Sequence, residues 1–209
     1  MARRENPFKE EREEQIKLAA LKLFSRRGFH RTTISDIAEE AGIGKGTIYW
    51  YWKSKEELAF SLVEDMLGAF LAMLREEEGE GGSLHAKMRR LVNAAADLYA
   101  KEKEHCRLLW KFRADRHYIF NPEYVRAVTS YYQEMRKYLS AMVRRGLEDG
   151  EIAGIDPDRA ALIILGITEG LELEWLENED FDLREGLHIV LESLFESWRT
   201  KDGRGSGDR

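Results

Sequence analysis

The chain has 209 residues and a formal net charge of −6, enough sequence for one small and one medium domain. It contains no apolar run of about eighteen residues, so no membrane-spanning helix is expected, and MARRENPFKEE lacks an apolar signal core, so the expected location is the cytoplasm. The single cysteine, Cys106, excludes an internal disulfide.

Apolar residues Ile16, Ala19, Ala20, Leu23 and Phe24 recur at helical spacing and predict a first helix from about Lys9 to Arg27, stopped by Gly28. Thr33 with Asp36 forms a capping box for a second helix, and Lys45 to about Trp52 forms a third. Ser54 with Glu57 opens a long fourth helix reaching about Glu76. The polar run EEGEGG then interrupts the pattern. A fifth helix follows from Leu84 to Tyr99 and a sixth over 103–118. Pro122 opens a seventh, broken by Gly150 and Gly154. Asp156 and Pro157 start an eighth helix through ALIILGI, a run that is β-branched enough to read as a strand without that cap. Leu183 to Trp198 gives the ninth, and 203–209 is expected to be a disordered tail. No strand pairing emerges. The expected fold is therefore all-α, with domains at 1–53 and 54–202.

Within this frame, residues 33–57 carry most of the information: TISDIAEEAGIGKGTIYWYWKSKEE. Ala38 is small enough for two short helices to cross closely. Gly42 can take the positive φ of the turn between them. Ile37, Ile43 and Ile48 pin both helices to one core. The second short helix then presents Lys45, Gly46, Thr47, Tyr49 and Trp50 outward, as a major-groove reader requires. Lys45 reaches phosphate or a guanine edge, and the Thr47 methyl suits thymine. Residues 1–57 hold 12 Lys+Arg against 10 Asp+Glu, whereas the rest hold 21 against 29, so one end only favours DNA.

DIAEEAG, GKGT, the Tyr49-x-Tyr51 pair and SKEEL resemble the tetracycline-repressor (TetR) family of bacterial transcription regulators over about fifty residues. Gly44 stands where that family usually has a Ser or Thr cap, and Trp52 where Phe is usual. The resemblance implies a homodimer that binds a double-stranded DNA operator and leaves it when a small molecule binds the second domain. It makes Tyr49 and Tyr51, the latter also on the DNA face by geometry, the expected phosphate-contacting tyrosines, with a place in the core as the alternative for Tyr51. Lys55 and Thr33, at two helix starts, complete the expected phosphate contacts. Arg3, Arg4 and Lys9 offer a basic arm.

Helices eight and nine carry more than one apolar stripe, which a helix packed on one neighbour does not need. Ile164, Ile167, Leu171, Leu187, Leu191 and Leu194 are the expected dimer residues, with Gly166 and Gly170 allowing close approach. Trp110, Tyr124 and Tyr132, with Glu169 and Glu172, are the expected effector residues, suited to a flat or cationic hydrophobic molecule. His105 and Cys106 diverge by about 100° on a helix, which is unsuited to shared metal ligation. No cofactor, metal or catalytic constellation is expected. The rival readings are an enzyme or carrier with an appended helix-turn-helix, and an effector-independent DNA binder.

Overall fold

The computed structural model describes residues 7–199. The 203–209 tail and Arg3 and Arg4 of the basic arm lie outside them. Nine α-helices and no strand occur among the described residues: α1 Pro7–Arg27, α2 Ile34–Glu40, α3 Lys45–Tyr51, α4 Lys55–Gly79, α5 Leu84–Lys101, α6 Lys103–Ile119, α7 Pro122–Glu148, α8 Pro157–Glu177 and α9 Leu183–Trp198. ALIILGI is helical, because Asp156 accepts the Arg159 N–H at 2.9 Å and Pro157 occupies the first turn.

The chain forms two compact units. One runs through Leu67 and takes in Glu102–Val128; the other holds Gly68–Lys101 and the chain from Thr129. The division falls inside α4, and α6 belongs with the N-terminal helices. The expected 53/54 boundary follows the start of α4, whereas packing follows the burial of its first three turns. Leu58, Ala59, Leu62, Val63 and Leu67 are all buried within the first unit.

The first unit is built around Ile16 and Phe24 of α1, Ile37 of α2 and Ile48 of α3, all fully buried. Each such side chain contributes about 1.5–3 kcal/mol by leaving water. Polar ties fix the crossings at the surface: Gln15 donates to the Ala41 carbonyl at 2.6 Å, Lys22 pairs with Glu40, and Lys17 bridges to Asp65 at 2.8 Å. Behind α1 lies a run of aromatic contacts. Phe112 meets Phe24 and Phe29, each at 6.0 Å between ring centroids, and Phe120 at 5.4 Å. Phe120 meets Phe60 at 6.1 Å, and Phe60 stacks on Tyr124 at 4.4 Å. This is why α6 and the start of α7 share a unit with the short helices.

In the second unit α5 and α9 pack through Leu84, Met88, Leu91, Leu187, Leu191 and Phe195. Arg184 and His188 both reach Asn93, each at 3.0 Å. The C-terminus of α4 is closed by the buried ammonium of Lys87, which donates to the carbonyls of Glu77 and Glu78 at 3.2 Å and to that of Glu80. The Glu77 and Glu78 carbonyls lie in the last turn of α4, where the helix has run out of N–H donors, and the lysine supplies some.

Candidate nucleic-acid interface

The two short helices and their turn follow from local chemistry. Thr33 caps α2: its oxygen accepts the Asp36 N–H at 3.1 Å, and its own N–H donates back to the Asp36 carboxylate at 2.8 Å. Gly42 sits at φ +63°, and no atom lies within 4 Å of the place where a Cβ would stand. Backbone conformation, not crowding, therefore calls for glycine here. Gly44 precedes α3 without a side-chain cap. What holds α3 is Ile48, fully buried against the first two helices, with Trp52 buried just beyond its end.

With Ile48 inward, the opposite face of α3 faces water. Lys45, Gly46, Tyr49 and Trp50 are exposed, Trp50 to 69 %, and Thr47 is half-buried. An indole left so open on a helix of seven residues contributes nothing to the core. It is held in place: the Lys9 ammonium lies 5.4 Å from its ring centre, and Tyr51 meets it edge-on at 4.8 Å. Lys45 lies 5.9 Å from the Tyr49 ring. The result is a short helix that displays two aromatic rings, each beside a cation, a surface suited to phosphates and base edges.

Three expected DNA contacts have other engagements. Lys55 turns inward and donates to the carbonyls of Phe29 and Thr32, both at 2.7 Å, with its ammonium 4.2 Å above the Phe29 ring. Burial lowers its proton affinity below the ordinary lysine value, while Asp36 pulls the other way. Two of its three N–H donors are thus committed to the connector between α1 and α2. The Thr33 hydroxyl gives its one proton to Asp36 at 2.7 Å. The Tyr51 hydroxyl donates to the Lys9 carbonyl at 3.2 Å, tying the first turn of α1 to α3. These residues shape the surface on which Lys45, Tyr49 and Trp50 stand. The lysine tie was missed from sequence because its acceptors are backbone atoms more than twenty residues away.

The Thr33 and Asp36 pair predicts an acid effect. Hydrogen bonds from the Thr33 hydroxyl and N–H hold the Asp36 carboxyl below the ordinary aspartate value of 3.8. Its contribution to α2 is complete above that value and is lost as pH falls through the lower, folded one. A carbon-detected titration should place Asp36 below the exposed aspartates. An ordinary titration would remove the reciprocal cap.

The effector residues divide between the units. In the first, Trp110 is half-buried on α6 with the Arg113 guanidinium 5.4 Å from its ring. Tyr124 stacks on Phe60, and burial and then the nearby glutamates raise its phenol above the usual range. In the second, Tyr132 and Glu169 are half-buried and Glu172 is buried. Among the dimer residues, Leu187 and Leu191 are turned inward, because they form the core with α5 and have no surface to offer a partner. Ile164, Ile167, Leu171 and Leu194 are half-buried. The apolar side chains that α8 and α9 leave exposed are Leu162, Ile163, Leu173 and Ile189, with Gly166 and Gly170 open on the same face of α8.

An all-α chain whose short third helix is anchored from behind and reads outward is a helix-turn-helix DNA-binding regulator by class. Comparison with known proteins makes this specific. Residues 16–62 match the model for bacterial regulatory proteins of the tetR family, and residues 84–196 match that for the C-terminal part of BetI-type transcriptional repressors. The HTH-type transcriptional regulator TtgR of Pseudomonas putida is 32% identical over 183 residues, 84% of this chain and 85% of that protein. The fatty acid metabolism regulator protein of Bacillus subtilis (strain 168) is 26% identical over 182 residues, 86% of this chain and 92% of that one. Among solved structures, transcriptional regulator FadR from Bacillus subtilis in complex with stearoyl-CoA superposes with a TM-score of 0.72 at 26% identity, over 87% of this chain and 97% of that chain. The fatty acid degradation regulator FadR from Bacillus halodurans shares the fold with a TM-score of 0.79 at 23% identity, over 95% and 100% of the two chains. The chain belongs to the TetR family of transcriptional regulators. Among the described residues no helix is long and apolar enough to cross a membrane.

Proposed function

We propose that the protein is a homodimeric repressor that binds a palindromic operator through α3 and is released by a hydrophobic effector. The carrying observation is the exposed, cation-flanked Tyr49 and Trp50 on a helix whose only buried residue is Ile48. Thr47, Tyr49 and Trp50 read the operator and Lys45 holds a phosphate, while Thr33, Tyr51 and Lys55 fix the frame behind them. Residues 1–53 carry the DNA contacts, and the remainder dimerises and takes the effector. A long-chain acyl thioester is the first effector to test, since a relative of 26% identity holds stearoyl-CoA. Trp110 and Tyr124, both in the first unit, suit an apolar ligand of that kind.

Selection from random duplexes should return an inverted repeat, with half-sites about one helical turn, about 34 Å, apart. Lys45→Ala should weaken all sequences alike and lower the salt slope by about one. Thr47→Ala should weaken the selected sequence more than random ones. Parental binding by both variants would remove α3 from the interface. Stearoyl-CoA, but not coenzyme A, should release the selected duplex; no release would reject this effector while leaving the DNA face standing.

A further inference from the structure

A cavity lies within the first unit, lined by no α3 residue and by none of the expected effector residues. It has a volume of about 230 Å³ and is floored by Phe24, Phe29 and Phe112, with Leu108 and Ile119 beside them. Phe24, Leu108 and Phe112 are each at most 2 % exposed and belong to the packed core, whereas Phe29 is half-buried and supplies the ring face that the cavity leaves open. The rim is of opposite character, carrying Arg27, Arg31 and Lys111 against one carboxylate, Asp115. The side chains of Arg27 and Arg31 form no hydrogen bond or ion pair among the described residues, although the charge of Arg27 is felt by Asp36 and Glu40. The Lys111 ammonium uses one donor on the Ser25 carbonyl at 2.7 Å and keeps two.

We infer that this cavity is a binding site for a small aromatic monoanion, a ring acid of about benzoate size. The size fits, because a cavity of about 150 Å³ already holds benzene, and the space here is larger by about one charged substituent. Ring edges carry partial positive charge and faces partial negative, so a phenyl floor accepts another ring edge-to-face. Guanidinium forks match a carboxylate bidentately, and they exceed the single opposing carboxylate in number. A bare inorganic anion gains nothing from the floor, and a neutral ring gains nothing from the rim. This inference does not rest on the proposed operator or its effector. It does touch the same machinery, since Phe29 walls the cavity and its carbonyl and ring both hold Lys55.

The test is a methyl-resolved NMR titration of the whole chain with benzoate, benzamide and acetate. Benzoate should saturably shift the methyls of Leu108 and Ile119. Benzamide should bind about tenfold more weakly, the scale of one lost charged hydrogen bond, and acetate should leave these methyls unmoved. Arg31→Gln, at an exposed position that leaves folding intact, should weaken benzoate about tenfold and leave benzamide unchanged. Benzamide binding as tightly as benzoate, or shifts confined to other methyls, would overturn the proposal. So would Arg31→Gln leaving benzoate affinity intact while lowering the salt slope of DNA binding, since Arg31 would then be a phosphate contact.

Discussion

In the proposed homodimer, Ile189→Asp should part the two chains at micromolar concentration and reduce operator binding by more than about a hundredfold, without lowering the melting temperature of the isolated chain. Ile189 is 60 % exposed within its own chain, so an aspartate there stays solvated in the monomer and costs folding little. In a dimer closed over α8 and α9, the two-fold axis brings two such carboxylates into a dry contact, a penalty of several kcal/mol for each ion. The exposed companions Leu162, Ile163 and Leu173, with the open Gly166 and Gly170, mark the same surface on α8. Loss of the dimer separates the two α3 helices, and each half-site must then bind alone. Leu191→Asp serves as the contrast. Leu191 is 4 % exposed, and a carboxylate there should unfold the second unit instead of parting two folded chains. Sedimentation of Ile189→Asp as a stable dimer would place the interface elsewhere.

That contrast shows where the sequence was legible. Helical periodicity located every element, because caps such as Thr33, Asp156 and Asp182 act within three residues of themselves. The outward face of α3 was equally local: with Ile48 buried, helical geometry alone sends Lys45, Tyr49 and Trp50 outward. Errors entered where a second element decides. Leu187 and Leu191 belong to a stripe, but only the position of α5 makes that stripe the inner one. The aromatic contacts of Phe112 and Phe120 assign α6 to the first unit, and no spacing within α6 encodes its neighbour. The capping box at α4 shows the same effect on a small scale. Ser54 accepts the Glu57 N–H at 3.0 Å as expected, yet the Glu57 carboxylate reaches back to the Lys53 N–H.

Lys55→Met should destabilise the protein by about 1–3 kcal/mol and weaken selected and random DNA together, with the salt slope unchanged. The methionine keeps much of the stem's apolar contact but removes the donors to Phe29 O and Thr32 O and the cation above the Phe29 ring. The cost stays at the lower end for charged hydrogen bonds, because the site is half-buried and water can solvate the freed carbonyls. These carbonyls belong to the segment that sets the start of α2, and Thr32 is itself anchored through its hydroxyl to Gly28 O at 2.9 Å. Loosening it blurs the position of α2 and, through the buried contact of Ile37 with the shared core, that of α3. Every DNA contact then weakens by a common factor, which is a cost of preorganisation and not of charge. A direct phosphate contact behaves differently: its removal lowers the slope of log K against log salt by about one and leaves the melting temperature alone. Measuring both quantities for Lys55→Met beside Lys45→Ala separates the roles. If Lys55→Met melts like the parent and loses one unit of salt slope, its ammonium leaves the connector to bind phosphate, and the inward geometry does not govern the complex.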